Sequence, residues 1–368
     1  MSPLLELQTF VPPDIEIERR SDGTVLLSSR HAPAGAEPSI PAVLRRRAAE
    51  HPDRPLAAQR DSEDRWITLS YGEAERRARS LANAFIQLGL GSDKPLMILS
   101  GNSLEHLLVS LGAYAAHVPV MPISVAYSLM SADHARIRAI AELTAPGLVF
   151  ADDAAPFGAA LDALTPTVSQ VLVARGERAG TLRLDDLLGT DPGNQAGAAG
   201  EPGPDTVAKL LFTSGSTSVP KGVVNTHRML CSNQAMLQAI WPFLADEAPV
   251  LVDWLPWSHT FGGTHNVNQA LVHGGTLHID EGKPAPPLFG KTLAALRENP
   301  PTVYYNVPAG FALLTPELEN DPEFAAQFFS RLRFVFYAAA ALPQGLWDRL
   351  RAVTPDHIPL TASWGTTE

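Results

Sequence analysis

The chain has one cysteine, Cys231, in 368 residues. An intramolecular disulfide is excluded, and no base partner is in view to make the thiol a nucleophile, so Cys231 reads as a small core residue. Positive charge is also scarce. Twenty-eight Lys and Arg stand against 39 Asp and Glu, for a formal net charge of −11, which argues against the clustered basic face that nucleic acid requires. The one basic run, Arg45-Arg46-Arg47, has acidic neighbours close behind and reads as a solvated helix face. Long apolar runs are missing. The most apolar stretch, 107–123, is interrupted by Gly112, His117 and Pro119, too short and too broken for a membrane span. The first residues lack the basic region and apolar run of a secretory signal. These absences predict a cytoplasmic protein with neither a nucleic-acid nor a membrane partner. Two motifs are absent as well. Without Gly-x-Ser-x-Gly an esterase elbow is excluded, and without Gly-x-Gly-x-x-Gly a dinucleotide fingerprint is excluded. His259 and His265 are accompanied by no carboxylate or thiol set that would complete a metal site.

The apolar and polar periodicity describes an α/β protein. Residues 1–38 read as an N-terminal extension with a strand or two. Pro41 suits the first turn of a helix beginning at Ile40. A strand follows over Trp66–Tyr71, then a helix to Leu88, capped by Ser70 with Glu73 three residues on and stopped at Gly89. Strands at 96–99, 118–123 and 147–150 alternate with helices at 103–116 and 131–143, the rhythm of a parallel sheet covered on both faces. The Gly, Ala, Pro and Asn-rich segment 189–204 reads as a connector. The expected division is 39–200 for a first α/β subdomain and 201–368 for a second one.

The chemistry concentrates in Thr213-Ser214-Gly215-Ser216-Thr217-Ser218-Val219-Pro220-Lys221-Gly222, which follows an apolar strand and precedes a helix expected over 228–240. Small residues admit phosphate oxygens to the backbone N–H groups. Thr213, Ser214, Ser216 and Thr217 supply hydroxyl donors, and Lys221 supplies charge. A Walker loop would have Gly where Pro220 stands and a Ser or Thr after the Lys, where Gly222 stands. The segment therefore points to ATP through a different loop.

That loop resembles the signature of the adenylate-forming superfamily of acyl- and aryl-CoA synthetases, peptide-synthetase adenylation domains and luciferases, with Ser218 at a position usually held by Gly. Three further segments fall in the superfamily's order. Pro256-Trp257-Ser258-His259-Thr260-Phe261-Gly262-Gly263 resembles the segment lining the acyl pocket, His259 matching the residue that gates between acyl site and pantetheine tunnel. Ala338-Ala339-Ala340 resembles the stretch that edges adenine. Trp364-Gly365-Thr366-Thr367-Glu368 resembles the motif whose aromatic stacks on adenine, whose Thr binds the α-phosphate and whose Glu holds Mg²⁺. Several stretches, including 98–106, 225–234 and 274–284, look most like bacterial feruloyl-CoA synthetases.

The resemblance implies the large N-terminal domain of an acyl-CoA synthetase, with mixed and parallel sheets flanked by helices. It implies ATP-dependent activation of a carboxylate followed by thioester formation with coenzyme A, on an aryl acid such as ferulate. Lys221, His259, Thr367 and Glu368 would carry the chemistry. The acid would lie flat against Phe261, Gly262, Gly263, Val307, Pro308 and Gly310. The superfamily continues beyond Glu368 with a small C-terminal domain and its lysine. The chain as it stands is thus expected to be an incomplete fragment with little complete ligase activity. A non-catalytic nucleotide-binding remnant and a fatty acyl-CoA ligase are the alternative readings, and a homodimer is compatible with either.

Overall fold

Four sheets organise the chain. The computed structural model describes residues 9–191, 200–213 and 220–367. In chain order the strands are β1 (Ile15–Arg19), β2 (Val25–Ser29), β3 (Pro55–Arg60), β4 (Trp66–Ser70), β5 (Leu96–Leu99), β6 (Val120–Pro122), β7 (Leu148–Asp153) and β8 (Val171–Arg175). They continue with β9 (Leu182–Arg183), β10 (Val207–Thr213), β11 (Lys221–Thr226), β12 (Val250–Asp253), β13 (Thr276–Ile279), β14 (Val303–Asn306), β15 (Phe334–Tyr337) and β16 (Leu360–Ala362).

A seven-stranded sheet runs β11-β10-β6-β5-β7-β8-β9, parallel except for the β10–β11 pair. A four-stranded sheet runs β12-β13-β3-β4, and a three-stranded parallel sheet runs β14-β15-β16. β1 and β2 form a separate exposed hairpin in the N-terminal extension. The expected break at residue 200 does not coincide with a sheet boundary. β10 and β11 complete the sheet begun by β5 to β9, and β12 and β13 join β3 and β4.

The inner strands β5 and β6 of the large sheet are apolar at every position because both faces are covered. In β5, Leu96 and Ile98 enter the main core, while Met97 and Leu99 enter a second core on the opposite face. β7 divides the same way, Leu148 and Phe150 from Val149 and Ala151. A third core packs helices against the three-stranded sheet around Tyr304, Phe311, Phe324 and Phe328.

Capping sets the helix starts. The Ser70 hydroxyl accepts from the Glu73 N–H at 3.2 Å, and Ser103 caps the helix Leu104–Ala115 through His106 N–H at 3.0 Å. Gly89, at φ +77°, ends the helix that Ser70 begins. The helix expected over 131–143 starts later, at Ala135, because the Ser131 hydroxyl and Asp133 carboxylate take the N–H groups of His134 and Ala135 in a turn. Among the described residues no helix is long and apolar enough to cross a membrane.

Candidate functional site

The three-stranded sheet aligns two of the sequence motifs and the start of a third. Asn306 of β14 is the register partner of Tyr337 of β15, which is the partner of Ala362 of β16. All three strands run the same way, so Val307, Ala338 and Ser363 leave one carboxyl edge side by side. The carboxyl edge of parallel strands is where α/β folds leave room for ligands, because the chain there turns away toward the flanking helices. Val307–Gly310, Ala338–Ala340 and Trp364–Thr367 therefore share a rim.

The large sheet contributes a second rim. Thr213 and Lys221 are register partners at the closing end of the β10–β11 hairpin, so their side chains share one face across the ladder. Lys221 is exposed. The sequence reading led from the loop straight into a helix. The structure instead gives Lys221 to a strand, and the helix starts at His227 with Thr226 as its cap. Ser214, Gly215, Ser216, Thr217, Ser218 and Val219 lie outside the described residues, as does Glu368, and with Glu368 the position assigned to Mg²⁺.

Between the rims lies the segment Trp254–Gly263. It ends in a π-helix, Phe261–Asn266, a rare form found frequently at functional sites. Its glycines are required by close backbone approach. A Cβ on Gly262 would lie 2.4 Å from the Leu255 carbonyl oxygen, and one on Gly263 would lie 2.0 Å from that of Trp257. The π-helix contacts a strand of each of the two sheets that carry the rims. Lys209 of β10 donates to the Gly263 carbonyl at 2.7 Å, and the Phe261 ring meets Tyr305 of β14 and Phe336 of β15. His265 sits in the same aromatic cluster, with Tyr305 at 5.0 Å between ring centroids, and burial lowers its pKa. It packs among those rings, and no group of metal-binding side chains occurs among the described residues.

His259 is exposed and aimed by its own turn. Its Nδ1 accepts from the Phe261 N–H at 3.2 Å, which leaves the proton of the neutral ring on Nε2. Neighbouring protein on one side lowers its pKa, so the neutral form prevails near pH 7. Phe261, Val307 and Pro308 are half-buried, Gly262, Gly263 and Gly310 are buried, and Ala339, Ala340, Trp364, Gly365 and Thr366 are exposed. Trp364 shows 88% of its surface. Ala339 takes a left-handed backbone at φ +73°.

Four residues that hold this arrangement were not singled out for it. Asn306 is fully buried at the end of β14. Its Oδ1 accepts from Val307 N–H at 2.8 Å and from the Trp254 indole at 3.2 Å, and its Nδ2 donates to the Tyr304 hydroxyl at 2.8 Å. A Cβ on Gly310 would lie 2.1 Å from that Oδ1, so Gly310 is small because Asn306 occupies the space. Asn102 clamps the middle segment, donating to Leu255 O at 2.9 Å and accepting from Trp257 N–H at 3.0 Å. Asp253 accepts from Leu255 N–H at 3.1 Å and from Asn266 Nδ2 at 3.0 Å, and burial raises its pKa to about 7. Burial brings Lys209 down to about 8. The available signal was a polar residue inside or ending an apolar strand: Lys209, Asp253 and Asn306 all stand there.

Fold and relatives agree with this geometry. The N-terminal domain of FACL13 from Mycobacterium tuberculosis superposes with a TM-score of 0.72 at 22% identity, covering 90% of this chain and 77% of that one. The architecture is that of the large N-terminal domain of adenylate-forming enzymes. Residues 44–368 match the AMP-binding enzyme family model, and the chain belongs to that family. An L-proline–L-prolyl-carrier-protein ligase of Streptomyces coelicolor is 29% identical, aligning with 91% of this chain and 60% of its own length. A methyl-dioxo-octahydroindenyl-propanoyl:CoA ligase of Mycobacterium tuberculosis is also 29% identical, over 90% of this chain and 62% of its own. The chain thus spans about three fifths of the length of these relatives. Neither is a feruloyl-CoA synthetase, so they support the superfamily resemblance and leave the finer one without support.

Proposed function

We propose that this chain forms the nucleotide and acyl sites of a ligase that activates an aryl carboxylic acid, of the hydroxycinnamate type, as its adenylate and passes it to coenzyme A. The observation that carries the reading is the in-register exit of Val307, Ala338 and Ser363 from one sheet edge, with the π-helix joining it to the strand that ends at Thr213. Phosphates belong at Thr213 and Lys221. Adenine belongs against the small Ala338–Ala340 stretch and Trp364, with Thr367 near the α-phosphate. The acid belongs beside Phe261, Gly262, Gly263, Val307, Pro308 and Gly310, where aromatic and small groups suit a flat ring.

In this reading the carboxylate oxygen attacks the α-phosphorus of ATP and pyrophosphate leaves. The coenzyme A thiolate then attacks the acyl carbon and AMP leaves. No protein nucleophile is needed, so the protein's contribution is positioning and stabilising phosphate charge, chiefly through Lys221 and the loop hydroxyls. Magnesium, held through Glu368, would neutralise phosphate charge. His259, neutral and exposed, would turn at the mouth between acid and thiol.

The curated relatives favour a second reading. One is named for proline and one for a polycyclic propanoate, so an amino-acid or alicyclic acid is the competing substrate class. The test is mass-spectrometric detection of CoA thioesters by the full reading frame containing this chain, with hydroxycinnamates, benzoates, fatty acids and proline compared. The aryl reading predicts ferulate or a benzoate as best substrate. Fatty acids or proline outperforming both would overturn it.

A further inference from the structure

Beneath the π-helix, away from both rims, lies a small internal cavity of about 20 Å³. That is room for one guest of about the size of a water molecule. Lys209, Trp257 and Asn268 line it, each at least nine-tenths buried at 6%, 4% and 4% exposure. An ammonium has three donors, and Lys209 spends one on the Gly263 carbonyl at 2.7 Å. The Trp257 indole N–H and the Asn268 carboxamide nitrogen have no hydrogen-bond partner among the described residues. Among the described residues that line the cavity there is no Asp or Glu. His106 also lines it. Its Nδ1 sits 2.9 Å from the Gly101 carbonyl, and burial, reinforced by the charge of Lys209, lowers its pKa to about 4, so it is neutral. Ser110 and Tyr114 add hydroxyls to the wall.

Unpaired buried donors and unpaired buried charge are both costly, and buried cations are ordinarily paired. Here a buried cation and two residues with orphaned donors line one space, and among the described residues no carboxylate lines it with them. A neutral water would satisfy the donors and leave the charge uncompensated. We propose that this cavity binds one small monovalent anion of the halide class, held by the Lys209 ammonium, the Trp257 indole N–H and the Asn268 carboxamide. Such an ion would act as an internal counter-charge beneath the segment that joins the two rims. It is independent of which carboxylic acid the protein activates.

The probes are bromide and chloride. Crystals of the 368-residue chain grown in bromide should show an anomalous peak beside Lys209 Nζ. Thermal unfolding in chloride, against gluconate at constant ionic strength, should show a saturable rise in Tm. Lys209→Met, close in shape and uncharged, should abolish that rise. Trp257→Phe keeps the charge and removes one donor, and should weaken half-saturation by about tenfold, the equivalent of one hydrogen bond to a charged group. It keeps the test open should Lys209→Met fail to fold. Water-like density without an anomalous peak, an adventitious ion only at other positions, or equal chloride responses in wild type and Trp257→Phe would overturn the proposal.

Discussion

In the proposed reaction Lys221 is the residue on which the phosphate chemistry turns. It is exposed, opposite Thr213, and carries the charge at the closing end of the hairpin. Lys221→Ala should lower ATP–pyrophosphate exchange by roughly 10²–10³-fold, the usual cost of losing one group that stabilises developing charge, while circular dichroism and Tm stay near wild type. An unchanged exchange rate would remove Lys221 from the site. Ala339 makes a second prediction. Its φ of +73° costs an L-residue about 1–2 kcal/mol, and a glycine there recovers this less about 0.5–1 kcal/mol of added chain entropy. Ala339→Gly should therefore raise unfolding stability by about 0.5–1 kcal/mol in urea, whereas a loss of stability would show that the alanine methyl packs usefully.

The π-helix is the element that joins the two rims, and its glycines are where it is most vulnerable. A methyl on Gly263 would overlap the Trp257 carbonyl, so Gly263→Ala should cost about 3 kcal/mol or more, at the upper end for overpacking, and weaken the acid-dependent step before ATP binding. A denaturation midpoint unchanged by that substitution would contradict the backbone contact. These glycines stood out in the sequence beside Phe261, but the reason for them did not. The Ser70 cap, the Gly89 stop and the alternating strands were legible because they depend on neighbours a few residues away. β11 was missed because its pairing with β10 is set by a hairpin whose loop looked like a direct lead into a helix. Asn102 and Asn306 were not assigned a structural role because their partners lie across the fold or in the strand-end geometry: Asn102 bonds Leu255 and Trp257, more than 150 positions away. The rim formed by β14, β15 and β16 was implied by motif order alone, and only the strand register brings Val307, Ala338 and Ser363 together.

At the scale of the whole molecule, buried histidines set the pH response. Burial lowers His106, His227, His273 and His278 to about 4, below the ordinary 6.5. Between pH 6.5 and 4 the unfolded chain binds more protons at these sites than the folded one, so stability rises with pH across that window and is lost on acidification. Asp253 acts in the opposite sense, because its raised pKa makes the folded state the better proton binder between its ordinary value and about 7. Asp152 and Asp280, raised by burial, act as Asp253 does, while His259 and His265 are lowered like the other four; six histidines against three carboxylates leave a net fall in Tm as pH drops through 6.5 to 4. His106→Asn should flatten that fall, and an equally steep one would assign the acid sensitivity elsewhere. The same molecule-wide view bears on activity. The two rims belong to different sheets, one holding Thr213 and Lys221 and the other Val307 and Ala338, and the account requires them to act on a single ATP and a single acid. The most direct measurement is carboxylate-dependent ATP–pyrophosphate exchange by the full reading frame containing residues 1–368, with Lys221→Ala beside it. The account predicts exchange that appears only with an added carboxylic acid, strongest with hydroxycinnamates, and collapses in Lys221→Ala; exchange absent with every acid, or equal in wild type and Lys221→Ala, would contradict it.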